Sequence, residues 1–144
     1  MLVSKILETK PKTGVVSVHP HSLVGDAAKL LADKGIGTVV VSSDGKALNG
    51  ILSERDIVRA LGEIGPCCLD QNVSDLMTAK ITTCSPADQA VGVLTMMTEG
   101  RFRHMPVMEA GAMIGLISIG DVVKARLAEL AMEKDALEGM IMGH

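Results

Sequence analysis

Two stretches of this chain are versions of one another, so its fold must accommodate two copies of one unit. Gly50-Ile51-Leu52-Ser53-Glu54-Arg55-Asp56-Ile57-Val58-Arg59-Ala60 returns as Gly115-Leu116-Ile117-Ser118-Ile119-Gly120-Asp121-Val122-Val123-Lys124-Ala125, an offset of 65. Upstream, Pro20 answers Pro86, Leu30-Leu31 answers Met96-Met97, and Val41 answers Val107, at an offset of 66. Val3-Ser4-Lys5-Ile6-Leu7 answers Val73-Ser74-Asp75-Leu76-Met77 at an offset of 70. Offsets that drift by a few residues mark short loop insertions between packed elements.

Each copy has the same predicted order of elements. A short helix (3–8 and 73–78) is followed by a short strand (15–18 and 81–84). A helix follows, from Ser22 to Lys34 in one copy and from Ala87 to Glu99 in the other. Leu23, Ala27, Leu30 and Leu31 fall at helical spacing, and Gly35 and Gly100 are read as stops. Two strands joined by a turn come next. Thr38–Ser42 and Ala47–Leu52 turn at Ser43-Asp44-Gly45, and His104–Met108 and Ala112–Ile117 turn at Ala110-Gly111. A last helix begins at Ser53 or Ser118, and the second continues as a long amphipathic tail through Leu127, Leu130, Met132, Leu137 and Met140. The fold class is α/β (α+β): two tandem β-α-β-β-α repeats packed as a pseudo-two-fold pair, with repeat 1 over 1–66 and repeat 2 over 67–144.

Composition narrows the function. Hydrophobic residues make up 47% of 144 residues, rich for so short a chain, so part of the apolar surface is expected at an oligomer interface. No apolar run is long enough to span a membrane, and the N-terminus lacks an apolar signal core, which predicts a non-secreted, cytoplasmic protein. Three cysteines, two of them adjacent, form no disulfide framework and no zinc-ligand spacing. A net charge of −3 argues against a nucleic-acid binder. With one aromatic residue, Phe102, there is no platform for stacking bases, and a purine would have to lie between aliphatic side chains. His19, His21 and His144 show no metal spacing.

The Ser53…Asp56 and Ser118…Asp121 pairs admit two readings. The plain one is a helix N-cap with an acid in the first turn. The functional one is a nucleotide site: a helix N-terminus offers N–H groups to phosphate, and a carboxylate accepts both hydroxyls of a ribose. The repetition at one place, directly after a Gly-led apolar strand, favours the second.

These Gly-led strand–helix junctions, the preceding His104-Met105-Pro106-Val107 and the tandem spacing resemble a pair of CBS domains, a Bateman module, of the short stand-alone bacterial type. The resemblance covers essentially the whole chain. It implies binding of AMP, ATP or another adenosyl ligand in clefts between the copies, and dimerisation as a flat disk. It assigns the ribose to Asp121 with Ser118 near the phosphate in one cleft, and to Asp56 with Ser53 in the other. Arg103 and His104 are the implied phosphate contacts, and Ile36 and Gly37 of the other copy lie where the adenine face sits. Arg103-His104 align with Gly37-Thr38, so the Asp121 cleft keeps a basic pair that the Asp56 cleft lacks; Arg55 is the candidate to compensate.

No enzyme signature is present. There is no P-loop, no G-x-S-x-G, no H-E-x-x-H, and no histidine beside either Ser–Asp pair to complete a triad. The chain is read as a regulatory ligand sensor without catalysis or catalytic cofactor, binding an adenine nucleotide as a homodimer and acting on an unidentified protein. The competing reading is a dimeric scaffold whose clefts have decayed.

Overall fold

The computed structural model describes residues 1–10 and 15–142, so His144 lies outside the described residues. The elements in chain order are α1 (Val3–Thr9), β1 (Ser17–Val18), α2 (Val24–Lys34), β2 (Thr38–Val41), β3 (Gly50–Ser53), α3 (Glu54–Glu63), a 3-10 turn (Pro66–Asp70), α4 (Val73–Leu76), α5 (Ala90–Gly100), β4 (His104–Glu109), β5 (Ala112–Ser118) and α6 (Ile119–Ile141). The mixed α and β content expected from the two-copy pattern is present.

The chain forms two compact units. One holds the described residues of Gly14–Thr82 together with Ala110–Ile114. In it, β2 is central, parallel to β1 and antiparallel to β3, with Thr38 opposite Ser53 and Val41 opposite Gly50. All four β2 residues are buried, as a central strand covered on both faces requires. Val24, Ala27 and Leu31 of α2 pack with Val39, Val41, Leu52, Ile57 and Val73. The other unit holds the described residues of Met1–Thr13, Thr83–Glu109 and Gly115–His144. Val3, Ile6, Ala90, Val93, Met97, Met105, Val107, Ile117 and Val122 form its core.

These units cut across the order of the sequence repeats. The opening helix of each copy packs in the unit built around the other copy, through matched hydrogen bonds. Val73, Ser74 and Val24 donate to the carbonyls of Ser22, Pro20 and Gln71 at 2.8, 2.9 and 2.9 Å. Val3, Ser4 and Ala90 donate to those of Asp88, Pro86 and Met1 at 2.9, 3.0 and 2.9 Å. Leu23 bridges Asn72, and Gln89 bridges Leu2, in the same way. This pairing moves the helix starts. Leu23 and Gln89 are held extended, so α2 begins at Val24 rather than Ser22, and α5 at Ala90 rather than Ala87.

Two further differences from the predicted elements, and one turn that was not predicted, have local causes. The strand expected over 81–84 reduces to a single bridge from Cys84 to Val107, because Asp88 accepts the Ser85 N–H at 2.8 Å and turns the chain away. Gly100 does not stop α5. It is the last helical residue, and Arg101 takes the left-handed cap at φ 56°, where Gly35 stands at φ 62° in α2. Pro66 opens a 3-10 turn, since a proline at the first helical position has no N–H to lose.

The glycine leading each junction has a steric reason. A Cβ at Gly50 would lie 2.6 Å from Met77 Sδ and 2.9 Å from the Thr78 carbonyl oxygen. A Cβ at Gly115 would lie 2.6 Å from Leu7 Cδ2. Met77 and Leu7 are themselves equivalent at the offset of 70, so each junction strand is pressed against an opening helix at the same point.

Candidate ligand-binding site

Both junction helices begin with the same device. Ser53 and Ser118 are extended N-caps at φ −109° and −100°. Their Oγ atoms accept the N–H of Asp56 at 3.2 Å and of Asp121 at 3.1 Å. In return Oδ2 of each aspartate accepts the serine N–H at 2.9 Å. These are capping boxes with Asp in the third position. The plain capping reading is therefore satisfied at both sites, and any ligand role is additional to it.

The capping also limits what the helix starts can offer an anion. The first N–H of α6, on Ile119, donates to Arg103 O at 2.8 Å, and that of α3, on Glu54, to Gly37 O at 2.8 Å. With the Asp N–H donating to serine, two of the first three N–H groups of each helix are already occupied. Phosphate binding at these helices therefore needs side-chain cations.

The two carboxylates differ in their cations. Lys10 Nζ lies 2.7 Å from Asp121 Oδ2 and donates as well to Leu116 O at 2.8 Å. Burial pushes the Asp121 carboxyl up, but the Lys10 and Ser118 hydrogen bonds and the Lys10 charge outweigh it, and its pKa is lowered. Among the described residues the cation beside Asp56 is Arg59, at 3.9 Å with its side chain 61% exposed, and Asp56 Oδ2 takes the Ser53 hydroxyl at 3.0 Å. A groove beside Asp56 is lined by Arg59, Glu63, Gln71 and Asp75, setting three carboxylates against one guanidinium. That balance disfavours a phosphate there.

The structure brings Arg103, His104, Ser118 and Asp121 together in one unit. Arg103 is exposed, its carbonyl tied to the start of α6, and half-buried His104 opens β4. Ile36, Gly37, Ser53, Arg55 and Asp56 lie together in the other unit. Ile36 is packed against that unit's core, Arg55 is exposed, and a Cβ at Gly37 would stand 3.2 Å from Glu54 Oε1. Among the described residues no group of three or more His, Cys, Asp or Glu side chains is placed to hold a metal.

Lys10 is the functional candidate that the sequence reading missed. A signal for it exists: the opening-helix match, continued by three residues, pairs Lys10 with Lys80 at the same offset of 70.

Comparison with known proteins places these features in a family. The model for the CBS domain matches residues 3–63 and again 73–128. The chain is 37% identical over 148 residues to the mitochondrial CBS domain-containing protein CBSX3 of Arabidopsis thaliana, covering 98% of this chain and 72% of that one. A crystal structure of a CBS-domain-containing protein from Agrobacterium tumefaciens matches with a TM-score of 0.82 at 42% identity, covering 88% of this chain and 99% of that one. The structure of CBSX2 in complex with AMP matches with a TM-score of 0.76 at 27% identity, covering 88% and 96%. No helix among the described residues is long and apolar enough to cross a membrane.

Proposed function

This chain belongs to the CBS-domain family, with two copies of the domain in tandem, and from that premise we propose that it is a regulatory module that binds an adenine nucleotide or a related adenosyl ligand. AMP, ADP and ATP are the ligands of choice. One observation carries this reading: the Asp121 junction joins a ribose-type carboxylate to Ser118, the Arg103 backbone and the Lys10 ammonium within a single unit. A relative at 27% identity, CBSX2, has been solved with AMP bound.

On this reading Asp121 accepts the ribose hydroxyls, Ser118 lies near the phosphate, and Arg103 and His104 meet the phosphate oxygens. Asp56, Ser53 and Arg55 form the weaker counterpart. The module has no catalytic role and no catalytic cofactor. It passes ligand occupancy to an unidentified protein partner, as a homodimer. Exposed Val58 and Leu61 on α3, Ile64 at its C-cap and Val91 on α5 are the kind of apolar surface an assembly covers. Its three free thiols suit a reducing compartment, the cytoplasm on this reading, although the Arabidopsis relative is mitochondrial by name.

A second reading, a dimeric scaffold without ligand, is favoured by the capping boxes, which explain both Ser–Asp pairs with no ligand at all. Calorimetry with AMP and adenosine separates the two. Arg103→Ala should weaken AMP far more than adenosine, since a charge-assisted contact to phosphate contributes about 1.5–3 kcal/mol. Asp121→Ala should weaken both, and Asp56→Ala should leave the tighter site intact. No heat and no thermal shift with any adenosyl compound at millimolar concentration would establish the scaffold. Loss of the tight site in Asp56→Ala, with Arg103→Ala unchanged, would move the phosphate to Arg55.

A further inference from the structure

The last buried residue of α6 is Ala125, and Glu129 is the last before Leu130 that is even partly covered. The helix nevertheless runs to Ile141, twelve residues (141 minus 129) past Glu129, and every residue from Leu130 to Glu138 is exposed. A helical segment this short is marginal in water, and Gly139 lowers its intrinsic helicity further. Such a tail is held by something that packs on it.

Its exposed face has the pattern of a coiled-coil seam. Val123, Leu127, Leu130, Lys134, Leu137 and Ile141 follow one another by 4, 3, 4, 3 and 4 residues. At 100° per residue they share a stripe about 80° wide. Val123, Leu127, Leu130, Leu137 and Ile141 are 40%, 62%, 44%, 59% and 83% exposed. Of the buried residues of this helix, Ala125 lies about 160° from the centre of the stripe and Val122 about 100° from it, both outside the stripe. The stripe also extends beyond residue 128, where the CBS-domain match ends.

We propose that this stripe packs antiparallel against α6 of a second copy of the chain, centred near Met132. The charges flanking the stripe choose both occupant and direction. Lys124, Ala131 and Glu138 lie along one edge, and Arg126, Glu133 and Met140 along the other. Antiparallel pairing about this centre sets Lys124 opposite Glu138 of the second copy, twice by symmetry, against one Glu133–Glu133 approach. Parallel pairing in register sets Glu133 against Glu138 twice and forms no opposite-charge pair between these edges. In the antiparallel seam each leucine or isoleucine meets an apolar residue or the stem of Lys134. The seam deepens the homodimer reading and rests on it.

Spin labels on single cysteines in the full chain test it, in a Cys67→Ser background because Cys67 is the exposed thiol. The antiparallel seam predicts a short label-to-label distance at Ala131→Cys. At Lys124→Cys or Glu138→Cys the two labels should be offset along the helix axis by about 21 Å, fourteen residues of helical rise, so their separation should exceed that figure. Equal short distances at all three sites would overturn the direction. A dimer by light scattering with no short distance at Ala131→Cys would overturn the seam and leave the homodimer standing, and a monomer would remove both. Charge exchange gives a second measure: Lys124→Glu and Glu138→Lys should each weaken self-association about tenfold, and the double variant should restore it. Absence of rescue would count against the charge pairing.

Discussion

Lys10 and Asp121 are 111 residues apart in sequence and 2.7 Å apart in the folded chain, with the ammonium on the carboxylate of the second junction. The contact is partly covered, the two side chains being 34% and 27% exposed. Lys10 also caps the Leu116 carbonyl, so it is fixed by two bonds rather than one. Among the described residues Asp56 of the first junction is met instead by the exposed Arg59, at 3.9 Å. A repeat nearly symmetrical in its backbone hydrogen bonds is thus unequal in charge at its two carboxylates.

Acid should expose this pair. The Asp121 carboxyl is held below its ordinary value of 3.8, so its ionised form is favoured in the folded state. The stabilisation is complete above the unfolded value and is lost as the pH falls through the folded one. Lys10→Met should cost about 0.5–1 kcal/mol at pH 7, allowing for solvent screening. Urea midpoints for the two proteins should converge as the pH falls from 7 to about 3. A gap that stays constant over that range would mean that Lys10 acts by packing rather than charge.

Much of this was legible from the repeat itself. The Gly–Ser–Asp junction, matched at one offset, located both capped helix starts, and the Val-rich run 39–41 proved to be the central strand. The helix starts at Ser22 and Ala87 were misjudged because local cap chemistry says nothing about Leu23 and Gln89 being held extended by a distant segment. The opening helices read as belonging to the copies that follow them, yet they pack in the opposite units, and no periodicity reports a swap between equivalent partners. Arg101 was missed as a cap for a similar reason: a left-handed residue that is not glycine leaves no compositional mark. Lys10 was hidden by distance, since its partner is specified by the fold.

The paired glycines should respond unequally to the same substitution. Gly50→Ala brings its methyl group to 2.9 Å from the Thr78 carbonyl oxygen, and Thr78 exchanges hydrogen bonds with Ile51 at 3.0 and 2.9 Å, so that backbone cannot withdraw. For Gly115→Ala the nearest atoms all belong to the Leu7 side chain, and the one closer than 3.0 Å is its terminal Cδ2 methyl, which another rotamer can move aside. Overpacking of a fixed neighbour costs about 1–3 kcal/mol, so Gly50→Ala should lower stability by about that amount and Gly115→Ala by less than about 1 kcal/mol. Chemical denaturation of both variants decides it, and equal losses would show that Leu7 is as fixed as the Thr78 backbone.

Ligand preference is where the Lys10–Asp121 contact should have its largest functional effect. Asp121 Oδ2 already accepts from Ser118 N–H and Lys10, so a ribose seeking both carboxylate oxygens must displace the ammonium. For adenosine, removing Lys10 removes a competitor, and Lys10→Met should bind it at least as tightly as the unaltered chain. For AMP the same substitution also removes a cation released beside the phosphate, which offsets the gain. The preference for AMP over adenosine should therefore shrink by up to about fivefold, the factor corresponding to roughly 1 kcal/mol for a screened charge pair. Titrating both ligands into both proteins at two salt concentrations measures that ratio, and the difference should narrow at high salt. If Lys10→Met weakens adenosine and AMP equally, Lys10 holds Asp121 in position for the ribose, and the competition described here does not operate.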